Sequence, residues 1–77
     1  MTSYITFEEA STVFEDDNLI YKLDEKHSVN EERYKIIGMS VYPRLLMVCH
    51  CIREGNTVRI ISARKANKTE TKEYERR

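Results

Sequence analysis

Apolar residues recur at helical spacing near the start of the chain, alternate at strand spacing through its middle, and almost disappear from its end. Thr6-Phe7-Glu8-Glu9 has the spacing of a capping box, with Thr6 accepting from the Glu9 amide and the Glu9 carboxylate reaching back, so a helix is expected to start there. Phe7, Ala10, Val13 and Phe14 then form one apolar stripe, with Glu8, Glu9 and Ser11 facing outward. The polar cluster Glu15-Asp16-Asp17-Asn18 ends the helix, Leu19 to Leu23 reads as a short strand, and Asp24 to Asn30 as a charged loop. Arg33 to Ser40, Arg44 to Arg53 and Thr57 to Ala66 read as three longer strands, separated by Val41-Tyr42-Pro43 and Glu54-Gly55-Asn56. Connections this short imply antiparallel neighbours.

The pattern therefore predicts an α+β fold, with an N-terminal helix packed on a three- or four-stranded antiparallel sheet. From Asn67 onward the chain is polar; Asn67-Lys68-Thr69-Glu70 offers a second cap for a short helix over Thr69 to Arg77, with Tyr74 as its anchor. A helix of about nine residues is marginal alone and needs docking.

At 77 residues the chain is expected to be one domain, 1–77, with a thin core. It contains neither a 20-residue apolar run nor a secretory signal pattern, which points to a cytoplasmic protein without a membrane span. Its formal charge is zero, yet residues 1–32 carry nine acids against two lysines, and residues 33–77 carry eleven Lys/Arg against four glutamates. That polarity suggests either a polyanion-binding surface in the second half or mutual neutralisation of the halves across the fold. Cys49 and Cys51 share one face of a strand and read as reduced core thiols. Strand alternation sends His50 to the other face, so the Cys-His-Cys triplet does not form a metal site by itself.

Several runs of residues resemble one family. Val58-Arg59-Ile60-Ile61-Ser62-Ala63-Arg64-Lys65-Ala66, followed by Glu70 and Tyr74, is similar to the signature strand and following helix of the BrnT toxins. His27, Glu31-Glu32-Arg33 and Ile37-Gly38-Met39-Ser40 match that family's H-x-x-x-E-E-R-x-x-x-I-G-x-S pattern, and Phe7-Glu8-Glu9-Ala10 fits its first helix. The family's usual opening strand with W-D-x-x-K, and the K-H-G that ends the next helix, have no counterpart before Phe7, so an exposed sheet edge is expected. The resemblance implies a RelE-like scaffold and a metal-independent ribonuclease without a cofactor. It also implies a BrnA-type antitoxin partner, through which alone the toxin would associate with DNA.

Such cleavage needs a base for the 2′-hydroxyl, an acid for the leaving oxygen, and fixed positive charge for the developing phosphorane. Arg64 and Lys65, at a strand end just before a helix start, together with His50, are the expected catalytic group. Arg33, Arg59, Arg44 and His27 are the expected RNA contacts, with Glu31 and Glu32 as secondary acid/base candidates. Alternation puts Arg59, Ile61, Ala63 and Lys65 on one face of the last strand, and Val58, Ile60, Ser62 and Arg64 on the other. Tyr21, Tyr34, Tyr42 and Tyr74 are candidates for stacking on bases. The competing expectation is a non-catalytic module that uses the same scaffold to bind a partner protein.

Overall fold

A computed structural model describes residues 5–23 and 33–76. Helix α1 (Phe7–Thr12) continues into a 3-10 turn at Val13–Glu15; strands β1 (Ile20–Leu23), β2 (Arg33–Met39), β3 (Leu45–Arg53) and β4 (Thr57–Lys65) follow; helix α2 (Lys68–Arg76) ends the chain. The four strands form one antiparallel sheet in sequential order, β1-β2-β3-β4. The fold is α+β, as the hydrophobic pattern predicts. His27, Glu31 and Glu32 lie outside the described residues.

Local chemistry explains the element boundaries. Thr6 Oγ1 accepts from the Glu9 amide at 3.0 Å and caps α1. Between β3 and β4, Gly55 and Asn56 both have positive φ, 71° and 66°, the conformation that lets a tight hairpin follow the twist of its strands. At α2 the capping box is reciprocal: Asn67 Oδ1 accepts from the Glu70 amide at 2.8 Å, and Glu70 Oε1 accepts from the Asn67 amide at 2.9 Å.

Ala10 and Val13 from the helical segment pack on Ile36, Leu46 and Val48 to form the buried core, flanked by Ile5, Phe14, Leu19, Ile60 and Ala63. Residues directly opposite in an antiparallel ladder share a face, so this register puts Ile36, Val48 and Ala63 on the α1 side. Arg33, Lys35, Cys49 and Cys51 lie on the other. Cys49 and Cys51 are free and buried.

Two expectations about α1 are corrected. Phe7 does not join the core stripe; it is 66% exposed. Glu9 does not face outward or cap its own helix; it is 3% exposed, and its two oxygens accept from Arg44 Nη2 and Nε at 2.6 Å each. Ser40 Oγ donates a third bond to it at 2.7 Å. The bidentate guanidinium satisfies a buried carboxylate better than a single capping amide would, and this arrangement overrides the local motif. These Arg44 hydrogen bonds, against the opposing effect of burial, hold Glu9 below the ordinary carboxylate range.

Helix α2 docks mainly through polar contacts and not through Tyr74 alone. Tyr74 Oη donates to Asp16 Oδ2 at 2.6 Å, Lys22 Nζ reaches Glu73 at 2.7 Å, and Arg64 forks onto Glu70. Since Lys22 and Arg64 lie on the face opposite α1 by register, α2 covers that side.

Two outcomes test this packing. A Cβ on Gly38 would lie 2.7 Å from Val13 Cγ1 and 3.2 Å from Leu19 Cβ, so Gly38→Ala is expected to cost about 1–3 kcal/mol, read as a lower urea midpoint with unchanged slope. The Glu9 carboxylate is depressed in the folded state, so its stabilisation is complete above the unfolded value, about pH 4.3, and is lost as pH falls below that. Glu9→Gln is expected to lower the neutral-pH melting temperature and to flatten this acid limb of the melting profile.

Candidate nucleic-acid interface

The last strand does not keep its alternation. Cys49 pairs with Ser62 but His50 pairs with Ile60, which leaves Ile61 as an extra residue in β4. A bulge of this kind shifts the period-two phase by one residue. Arg59, opposite Cys51, therefore shares a face with Arg64, opposite Met47, while Lys65 lies opposite Leu46 on the α1 side. This corrects the expectation that Arg59 and Lys65 face the same way.

The strand registers on the turn side of the bulge build a row of positive charge. Arg33, Cys51 and Arg59 are directly opposite one another across β2, β3 and β4, so the two arginine backbones are about 10 Å apart, two strand spacings. Arg53, at the end of β3, is on the same face two residues beyond Cys51. All three arginines line a cavity of about 490 Å³ at the end of the sheet where β2 begins and β3 stops, with Phe7 at its wall. Its lining among the described residues includes no carboxylate. A second hollow of about 780 Å³ shares Phe7, Arg53, Arg59 and Ile60 with it and adds Glu54, Thr57 and Val58. Guanidinium groups keep their charge at any physiological pH and offer paired donors, the geometry that phosphate oxygens accept.

Arg64 is committed elsewhere. Its Nη1 and Nη2 donate to the two Glu70 oxygens at 2.9 and 2.8 Å, and Nη1 also reaches the Lys65 carbonyl at 3.1 Å. The Glu70 hydrogen bonds raise the Arg64 pKa. Burial pushes Glu70 up, but bonds from Arg64 and the Asn67 backbone prevail and hold it below its ordinary value. Arg44 is likewise held by Glu9.

His50 is 1% exposed. Its ring meets Phe14 edge-on at 4.9 Å and lies 5.7 and 5.8 Å from the Tyr21 and Tyr34 rings. Nε2 shares a 3.2 Å hydrogen bond with the Tyr21 hydroxyl, and Nδ1 has no partner among the described residues. Burial lowers the His50 pKa. Since His50 lies four residues from Leu46 on β3, its backbone is about 13 Å from the Lys65 row. Arg64, Lys65 and His50 thus do not form one cluster, because Arg64 occupies the opposite face from the other two. Of the tyrosines, Tyr21 and Tyr42 are exposed, while Tyr74 bonds Asp16.

The sequence matches the family described as "Ribonuclease toxin, BrnT, of type II toxin-antitoxin system" over residues 4–70. The chain belongs to the BrnT family. No curated protein matches it. Membership makes this a toxin of a type II toxin–antitoxin system in a ribonuclease family, with an antitoxin as its partner class. In this BrnT chain the convergent basic residues are Arg33, Arg53 and Arg59. The sequence alone points to Arg33 and Arg59 but not to Arg53, and it places Phe7 in the core stripe. The signal for Arg53 was present: the Gly55-Asn56 turn pairs Arg53 with Thr57 and Cys51 with Arg59, which aligns both arginines on one face before any bulge intervenes.

The depressed His50 pKa has a measurable consequence. Between the folded and unfolded pKa values the unfolded chain binds the extra proton, so stability is complete above about pH 6.5 and falls as pH drops below it. His50→Gln, which cannot titrate, is expected to remove this slope from the denaturation midpoint between pH 6.5 and 5. A slope that survives the substitution would assign it to another group.

Proposed function

We propose that this toxin cleaves RNA without a metal ion, in the groove lined by Arg33, Arg53 and Arg59, and inhibits translation until a BrnA-type antitoxin covers that groove. The observation that carries this reading is the convergence of three arginines on one cavity in a chain of a ribonuclease family. Fixed guanidinium charge supplies what in-line attack by a 2′-hydroxyl most needs, namely stabilisation of the phosphorane as negative charge gathers on its oxygens. Hydrogen bonds from charged donors are each worth roughly 1.5–3 kcal/mol when they are made in the transition state.

In this reading Arg33 and Arg59, opposite each other across the sheet, bind the scissile phosphate or its neighbour, and Arg53 extends the track. Arg64 and Lys65 remain candidate contributors at the far end of β4, on either side of the sheet. Any proton transfer by His50 runs through the hydroxyl of the half-exposed Tyr21, since the His50 ring itself is buried. His27, Glu31 and Glu32 are further acid/base candidates. The remaining parts of the reading are a single RelE-like domain over residues 1–77, a cytoplasmic location, and DNA contact only through the antitoxin. Among the described residues no helix is long and apolar enough to cross a membrane.

Purified protein is expected to cut RNA equally with and without a chelator. Arg59→Ala and Arg53→Ala are each expected to lower the cleavage rate by roughly 10- to 100-fold, and Arg64→Ala or Lys65→Ala by less. The reverse ranking would move the site to the C-terminal end of β4, and loss of activity on chelation would end the metal-independent reading. Recovery of a stable complex with the product of the adjacent gene would test the antitoxin assignment.

A further inference from the structure

Phe7 is a large apolar side chain left 66% exposed on a helix whose neighbours Glu9 and Ala10 are buried, and it lines both cavities that the arginines line. In a chain with so thin a core, leaving an aromatic ring outside it gives up burial that the fold could have used. The ring also stands among permanent positive charges, on which a polyanion would lie, and next to hollows of about 490 and 780 Å³. Those volumes are in the range, roughly 300–1,000 Å³, of sites that enclose a group the size of a nucleotide. A polyanion complements the three guanidinium charges that line the smaller cavity better than an apolar protein segment does.

We infer that Phe7, Arg53 and Arg59 form a single-stranded nucleotide subsite, in which an unpaired base stacks on the Phe7 ring and the flanking phosphates are held by the two arginines. The inference deepens the proposed ribonuclease reading and rests on it for the nature of the ligand, but it concerns binding, not bond cleavage. Stacking on an aromatic face tolerates any base and requires that the base be unpaired, since in a duplex both faces are already occupied. The subsite thus makes the toxin selective for single-stranded or splayed-out RNA by the shape of its binding groove, independently of which groups carry the chemistry. Arg53 and Arg59 neutralise phosphates, so their contribution depends on salt; the Phe7 contribution does not.

The experiment uses the full chain and a fluorescent, fully 2′-O-methylated oligonucleotide, which carries no 2′-hydroxyl nucleophile, as a single strand and as a blunt duplex. The single strand is expected to bind the tighter of the two. Phe7→Ala is expected to weaken single-strand binding by roughly tenfold with an unchanged salt slope, and Phe7→Trp to match or exceed the parent. Arg59→Ala and Arg53→Ala are each expected to weaken it and to reduce the salt slope by about 0.7. Equal binding by Phe7→Ala and parent overturns the inference, as does a Phe7→Trp variant as weak as the alanine one. Duplex binding as tight as single-strand binding also overturns it. A Phe7→Ala variant that loses the antitoxin while holding the oligonucleotide as tightly as the parent would instead assign the ring to a protein contact. Failure to cleave any RNA, with these binding ranks intact, would count against the ribonuclease reading and leave the subsite standing.

Discussion

The buried ion pair between Glu9 and Arg44 joins three parts of the molecule above a thin apolar core. It links α1 to the residue just before β3, and through Ser40 to the end of β2. A carboxylate with so little exposure is strongly unfavourable unless its oxygens are satisfied, and here three donors converge on it. That requirement places the helix over Ile36, Leu46 and Val48 and closes the β2–β3 connection, where the Ser40 amide also reaches the Arg44 carbonyl at 3.0 Å. One arginine of the basic half is thereby engaged by the fold.

The bulge in β4 decides which basic side chain at the far end of that strand shares the Arg59 face. In a regular strand the hairpin register would still align Arg59 with Cys51 and Arg33, but it would put Arg64 on the α1 face and Lys65 on the other. One unpaired residue at Ile61 lets Arg64 and Arg59 share a face although they are five positions apart. Bulges also twist and blunt an edge strand, and β4 is an edge. The same feature thus serves solubility and charge placement.

Ion pairs neutralise part of the charge polarity along the chain. Glu9 with Arg44, and Lys22 with Glu73, neutralise charges between the halves, whereas Arg64 with Glu70 neutralises within the basic half. At the end of the sheet Arg33, Arg53 and Arg59 line one cavity. Helix α2, with none of its residues fully buried, is held by these pairs and by Tyr74 instead of by a hydrophobic face.

Element order, the α+β class, both caps and the β3–β4 turn were legible in the sequence, because each depends on contacts within a few residues. Thr6 three positions from Glu9, Asn67 three from Glu70, and Gly55-Asn56 between alternating runs are local chemistry. The family was legible for a different reason, since its motifs extend over most of the chain. What only the tertiary structure decided were matters of long-range pairing. Glu9 left its own helix because Arg44, 35 residues away, offers a bidentate fork. His50 entered an aromatic cluster because β1 brings Tyr21 to it from 29 residues upstream. Arg53 and Phe7 line one cavity because the ends of three strands and a helix meet there. Local rules count neighbours along the chain, whereas burial and charge convergence depend on distance through space.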